Sequence, residues 1–207
     1  MERHTLKNRV AFATLFILLF ANSLFSYSGF VLEADKGIIL DKTVKKMKEM
    51  GDELYQKTKV STVLVVKKHL DKKSFLETKK KYLTQTQKPY VVWIFSKTYE
   101  DRQDIGLNQM FNSKELDNKF DKDSLFSPWS GTFTKILTVH KSKVDPTSAA
   151  FLNGYGDLVD MLAESYGIKL NSSIGSGSHT STNIIRIFFY SFVILAIIVI
   201  LKRKFFK

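Results

Sequence analysis

Two apolar runs near the chain ends bracket a long middle segment in which apolar positions recur at helical and strand periods. The first run, Val10 to Phe20 (VAFATLFILLF), follows Arg3, Lys7 and Arg9 and leads into the small-x-small triplet Ala21-Asn22-Ser23. Its eleven residues fall inside the roughly 7 to 15 of a signal-peptide core and short of the roughly 20 that span a bilayer. Residues 1–28 are therefore expected to be a signal peptide cleaved after Ser23 or Ser28, or, with Leu24, Phe25 and Tyr27 added to the run, an uncleaved N-terminal anchor. The second run, Ile184 to Leu201, is eighteen residues long with one charge, Arg186, near its outer end where it can snorkel. It predicts a single transmembrane helix over 184–201 in which Ile184, Phe188, Phe192, Ile197 and Leu201 lie in the membrane, with no GxxxG seam. Lys202, Arg203, Lys204 and Lys207 follow at once and read as a cytoplasmic tail by the positive-inside rule.

The middle segment alternates between helical and extended patterns. Asp41 can cap a helix whose apolar positions Val44, Met47, Gly51, Leu54 and Tyr55 keep helical spacing. Thr62 to Val66 is a β-branched run of the kind buried on both faces of a sheet. Phe75 to Leu83 reads as a lysine-rich amphipathic helix with Phe75, Lys79, Tyr82 and Leu83 on one stripe. Pro89 ends that connection, and Tyr90 to Phe95 (YVVWIF) predicts a central strand followed by a polar turn over Tyr99 to Asp104. Alternation from Ile105 to Phe111 predicts a strand paired with it as a hairpin. Ser113 can cap a short helix using Leu116 and Phe120, Pro128 and Gly131 make a turn, and Phe133 to Val139 predicts a fourth strand. A last helix starts at Asp145-Pro146, carries Leu152, Tyr155, Val159, Leu162 and Tyr166 at steps of 3 and 4, and ends at Gly167. The expected fold of residues 31–170 is an α/β domain: a small mixed sheet of about four strands sandwiched between helices. Asn171 to Asn183 (NSSIGSGSHTSTN) has the composition of a flexible linker between this domain and the membrane helix.

Charge alters the picture less than its total suggests. The 207 residues carry a formal +12, but Met1 to Phe30 has three basic residues and one acidic, and Ile184 to Lys207 five basic and none acidic. The remainder, Val31 to Asn183, has 24 basic and 19 acidic residues, so the excess clusters beside apolar runs and points to a membrane rather than to nucleic acid. Both basic ends belong on the cytoplasmic side, which places the middle segment across the membrane. In a bacterium that means an inner-membrane protein with its main domain in the periplasm. With no cysteine there is no disulfide frame, redox pair or thiolate nucleophile.

The element order, together with Glu33-Ala34-Asp35, Leu54-Tyr55 leading to Lys59, Val63 to Val66, Tyr90 to Phe95, Asp101-Arg102 and Leu152 to Leu162, resembles the TPM domain family over about residues 31 to 168. That family is named after a thylakoid lumen protein, a photosystem II repair protein and a nematode receptor auxiliary. Where the family has Asn-Gly before its central strand this chain has Lys88-Pro89, and its glycine-rich segment after the hairpin is replaced by Asn108-Gln109-Met110-Phe111. The resemblance implies a membrane-associated accessory, chaperone-like assembly or repair factor whose partner is an integral membrane protein complex.

The residues themselves contain no catalytic or cofactor-binding constellation. His4, His69, His140 and His179 lack zinc spacing; a His69/His140 pair needs the fold to assemble it, and two loop histidines is the simpler reading. No serine sits in GxSxG, and Gly154-Tyr155-Gly156 falls inside the last helix rather than in a phosphate loop. The candidate metal ligands are Asp35, Asp101, Asp117 and Asp121, the last two sharing one face of a short helical stretch with Glu115 and Asp123 nearby. Ca²⁺, which takes six to eight oxygens, is the cation such a set suits. Interspersed Lys114, Lys119 and Lys122 make a salt-bridged, solvated surface the simpler reading of this cluster. A metal-dependent, phosphatase-like periplasmic hydrolase using Asp35, Asp101 and the Asp117 to Asp123 group is the alternative to the accessory role. The lysines at 67–68, 72–73 and 79–81 form an ordinary soluble face or touch anionic headgroups of the cytoplasmic membrane.

Overall fold

The β-branched runs occupy the centre of a four-stranded sheet of order β1-β2-β3-β4. The computed structural model describes residues 26–102, 106–138, 146–175, 190–192 and 194. In chain order the elements are β1 (Phe30–Ala34), α1 (Asp41–Thr58), β2 (Ser61–Leu70), α2 (Lys72–Gln85), β3 (Tyr90–Tyr99) and β4 (Leu107–Asn112). A 3₁₀ turn (Lys114–Leu116), α3 (Asp123–Phe126), α4 (Thr132–Leu137) and α5 (Pro146–Ser165) complete the domain. β1, β2 and β3 are parallel, with Val31 opposite Val63 and Val63 opposite Val92, while β4 returns antiparallel with Met110 opposite Trp93. The α/β class and the mixed sheet between helical layers match the pattern of the chain.

Alternation on the central strands divides the interior into two layers, since successive strand side chains point to opposite faces. Leu64, Val66, Val91, Trp93 and Phe95 face α1, α4 and α5, where Met47, Met50, Leu54, Phe133, Phe151, Tyr155, Leu158 and Leu162 fill the larger core. Val63, Val65, Val92 and Ile94 face the other way, under Tyr82, Phe75 and Leu83 of α2. Both parallel crossovers step in the same direction across the sheet, yet α1 covers one face and α2 the other. The two βαβ units therefore have opposite hands, and one runs against the right-handed preference. Because the chain leaves β1 and β2 toward opposite faces, the carboxyl ends of these strands meet the condition for a crevice in an open α/β sheet.

Several sequence expectations are corrected. β1 is a strand where the pattern showed only the entry to the domain; it is half-buried at an edge and too short to display a period. The helix at 41 is capped by Leu40, whose N–H donates to Ser148 Oγ at 2.9 Å, and Asp41 lies in the first turn instead. α2 begins earlier than Phe75 because Asp71 and Ser74 form a reciprocal capping box. Ser113 does not cap a helix; its Oγ accepts the Tyr90 N–H at 3.1 Å, tying the end of β4 to the start of β3. The segment that follows is a 3₁₀ turn broken by Asn118 at φ 61° rather than a helix. In place of the fourth strand expected from Phe133 onward stands the helix α4, in which Phe133 drops between Trp93, Phe95 and Phe151 and Ile136 and Leu137 pack behind it, while Val139 lies outside the described residues. Spacing of three and four residues decided this over β propensity. The fourth strand of the sheet is instead β1.

One close approach locks the layers together. Tyr155 on α5 shares a 2.7 Å hydrogen bond with Thr62 on β2, and both groups are buried. Gly51 on α1 lies directly against Tyr155 Oη and Phe30, leaving no room for a Cβ.

Beyond α5, the head of the Ser/Gly segment lies on the domain: Asn171 and Ser172 bond Glu53, Ser173 bonds Asp160, and Ile174 rests against Gly156. Residues 1–25 of the expected leader, the predicted span 184–201 apart from residues 190–192 and 194, and the basic tail lie outside the described residues, while Tyr27 at the leader's end pairs with Thr86 of the domain. Tyr190, Phe192 and Ile194 are helical and exposed. Among the described residues no helix is long and apolar enough to cross a membrane.

Candidate functional site

The carboxyl ends of the parallel strands carry the densest charged network in the domain. Glu33, on β1, faces α2. Its carboxylate receives Lys67 Nζ from β2 at 2.7 Å, Lys81 Nζ from α2 at 3.0 Å, and the Tyr82 hydroxyl. Burial alone would raise the Glu33 pKa, but these donors outweigh it and hold it at about 2. The same contact works in reverse on Tyr82, whose hydroxyl is pushed up to about 12 by burial and by its bond to Glu33. Lys67 and Lys81 are both raised: burial opposes the Glu33 carboxylate at Lys67, while at Lys81 the bond to Glu33 is the largest cause. Just beyond β1, Asp35 accepts the Lys68 N–H at 2.8 Å and lies 3.4 Å from Lys67 Nζ.

Along the same edge, β2 and β3 extend together to Leu70 and Tyr99. His69, Thr98, Glu100 and Asp101 line an open pocket of about 510 Å³. The Thr98 hydroxyl donates to the Lys68 carbonyl at 3.2 Å and lies 2.9 Å from His69 Nδ1. Asp35, Lys67, Lys68, His69 and Asp101 thus share one edge, through the ends of three adjacent strands.

Asp117 and Asp121 belong to the opposite edge, because β4 runs back antiparallel and ends beside the start of β3. The level of Asp35 is five residues along β2 from that of Asn112, roughly 16 Å at a strand's rise. Asp117 accepts from Asn112 Nδ2 at 2.8 Å and Asp121 from the Asp123 N–H at 2.9 Å; both line a shallow pocket of about 440 Å³. They are neighbours there through a turn and not through a shared helix face. The fold keeps Asp35 and Asp101 apart from the Asp117 to Asp123 group. Among the described residues no three His, Asp or Glu side chains converge as a metal site would require. His140, and with it the expected His69/His140 pair, lies outside the described residues.

Sequence reasoning missed Glu53. Near the end of α1 its carboxylate accepts the Asn171 N–H at 2.8 Å, the Ser172 N–H at 2.7 Å, the Ser172 hydroxyl at 2.5 Å and Lys57 Nζ at 2.7 Å. Only an i,i+4 partnership with Lys57 was visible in the sequence. The other chain end is held nearby: Tyr27 pairs with Thr86 through Tyr27 N–H to the Gln85 carbonyl and Gln87 N–H to the Tyr27 carbonyl, each 2.8 Å. Gly29 then packs on Tyr55, two residues from Glu53 on α1. Both ends of the domain therefore leave from the edge where the parallel strands begin.

No protein-family model, curated protein or solved structure matches the chain.

Proposed function

We propose that this is a bacterial inner-membrane accessory protein whose periplasmic domain binds an integral membrane protein complex and stabilises it or assists its assembly. The observation that carries this reading is the common exit of both chain ends. Tyr27 and the Asn171 to Gly175 segment meet the domain at the amino edge of the sheet, and each continues toward one of the two apolar runs. Eight residues separate Gly175 from Ile184, a root-mean-square reach of roughly 16 Å for a flexible Ser/Gly chain. The domain then stands on the bilayer with its amino edge down, and the edge bearing Asp35, Lys67, Lys68, His69 and Asp101 turns toward the periplasm and whatever rises beside it. Glu33 is held ionised by three donors, so this edge offers fixed charges for polar recognition rather than a carboxyl group that exchanges protons near neutral pH. The resemblance to the TPM family supports the same role.

The deciding experiment is crosslinking and affinity capture of the tagged full chain from its native membrane, beside a chain lacking Ile184 to Lys207. One membrane complex recovered reproducibly, and lost on truncation, is the expected result. Recovery of nothing specific would defeat the proposal.

A further inference from the structure

The face of the sheet under α2 is only partly covered. Four strands at about 4.8 Å spacing present a surface roughly 15 to 19 Å wide, whereas one helix with its side chains covers about 10 Å. The other face has α1, α3, α4 and α5 packed toward it; among the described residues this one has α2 alone, seated over β2 and β3. On the β1 side the remaining strip is closed by Tyr27 and the Glu33, Lys67, Lys81 and Tyr82 network. On the β4 side no helix among the described residues covers it. Leu107 and Phe111 of β4 lie half-buried there, Phe75 stands 6.4 Å from the Phe111 ring, and Leu76 is 50% exposed.

The rim of this groove is cationic. Lys79 Nζ sits 4.4 Å over the Phe111 ring, and Lys72, Lys73 and Lys80 stand exposed along the outer side of α2. None of these four lysines has a carboxylate partner among the described residues, in contrast to Lys67 and Lys81. The exposed carboxylate on α2 itself, Glu77, forms no ion pair with them, and outside the described residues the acids are few: residues 176–207 contain no Asp or Glu, residues 1–25 only Glu2, and the two short internal segments only Asp104 and Asp145. We propose that the groove between α2 and β4 docks an acidic amphipathic helix of the partner membrane protein, its apolar side on Leu76, Phe75, Leu107 and Phe111 and its carboxylates on Lys72, Lys79 and Lys80. This rests on the accessory reading. A lipid surface fits less well: α2 runs from the carboxyl edge down to the tether edge, and the eight-residue step from Lys72 to Lys80 sets them about 12 Å apart in height, beyond a Debye length of about 8 Å, so a flat bilayer beneath the domain cannot meet Lys72 and Lys80 together, whereas an upright helix can.

The test uses the full chain in neutral phosphatidylcholine nanodiscs, labelled with an environment-sensitive dye at Gln109→Cys, a unique cysteine because the chain has none. The probes are two synthetic 18-residue amphipathic helices sharing a leucine face, one with glutamates and one with lysines on the other face. The glutamate helix is expected to shift the dye emission and the lysine helix to leave it unchanged. Leu76→Glu and Lys79→Glu, both on the helix surface, should each weaken glutamate-helix binding at least tenfold while Trp93 fluorescence reports an intact core. Equal binding of the two helices, affinities within twofold in both variants, or displacement of the helix by phosphatidylglycerol vesicles would overturn the proposal. Capture of the client complex by the Leu76→Glu chain at wild-type yield would also overturn it while leaving the accessory role standing; absence of any client for the wild type would remove the accessory role and leave the groove to be judged on the peptides.

Discussion

Replacing Glu53 by Gln should release the head of the tether from the domain without unfolding it. In the folded chain four donors converge on this carboxylate, two of them the main-chain N–H groups of Asn171 and Ser172. Burial pushes its pKa up, but the donors from Lys57, Ser172 and Asn171 prevail and bring it from 4.5 down to about 2. At about 1.4 kcal/mol per unit that difference corresponds to roughly 3.5 kcal/mol, and partial solvent screening reduces the usable part to about 2. A glutamine keeps one acceptor oxygen but turns an amide N–H₂ toward donors, and hydrogen bonds to a charged group contribute about 1.5–3 kcal/mol, so the two routes agree. A local loss of about 2 kcal/mol lowers hydrogen-exchange protection of the Asn171 and Ser172 amides roughly 30-fold, with β2 and β3 amides unaffected. The pH dependence has a definite sign. Because the folded pKa lies below the unfolded one, the stabilisation is complete above about 4.5 and is lost as pH falls toward 2. Wild-type protection at residues 171 and 172, corrected for intrinsic exchange, should therefore decline through that window, and the Glu53→Gln profile should be flat. Unchanged protection in the variant, or parallel pH profiles, would refute the clasp. Release would lengthen the free tether from eight to thirteen residues, moving its root-mean-square reach from roughly 16 to roughly 20 Å.

Two other substitutions probe the core and the carboxyl edge. Gly51→Ala gains about 1 kcal/mol of helix propensity but drives a methyl group into Tyr155 Oη and to 2.7 Å from Phe30 Cβ. Disturbing the buried Tyr155–Thr62 bond and overpacking the joint should cost about 2–4 kcal/mol, for a net loss of about 2. Urea unfolding of the full chain in detergent, followed by Trp93 fluorescence in a Trp129→Phe background, measures it; a variant as stable as its parent would contradict the close approach. Glu33→Gln should bring the Tyr82 pKa down from about 12 toward, but not to, the ordinary value of 10.0, since burial persists when the carboxylate contact is gone. With the folded pKa above the unfolded one, the neutral Tyr82 stabilises the fold below about 10 and that contribution is lost as pH rises toward 12. NMR titration of ring-labelled tyrosine reads the shift, and an identical Tyr82 curve in the two proteins would sink the assignment.

How much of this was legible in the sequence depended on the range of the interactions involved. β2 and β3 announce themselves as short continuous runs of β-branched and aromatic residues, and α1 and α5 by apolar residues at a period of 3.6, each long enough to bury a stripe or a face. β1 does not, since five residues, four of them half-buried, become a strand only by pairing with β2, 32 positions onward. Phe133 to Leu137 misled for a related reason: its β-prone residues turn helical to put Phe133 into the aromatic cluster around Trp93 and Phe151. At the candidate site, Asp35 and Asp101 could be picked out as acidic residues near strand ends. That Asp117 and Asp121 sit at the far edge followed from the direction of β4, and that Glu33 is the hub of the charged network followed from the placement of α2.

By itself the chain determined the alternation of helices and strands, the α/β class, and the concentration of positive charge beside two apolar runs, because each is carried by neighbouring residues whose spacing and chemistry act locally. The tertiary structure alone decided the opposite hands of the two crossovers, the shared exit of both chain ends beside α1, and the half-covered face between α2 and β4. Those features depend on which face of the sheet each helix chooses and on which strands become edges, and that choice is made by packing among residues such as Glu53 and Ser172, 119 positions apart in the chain.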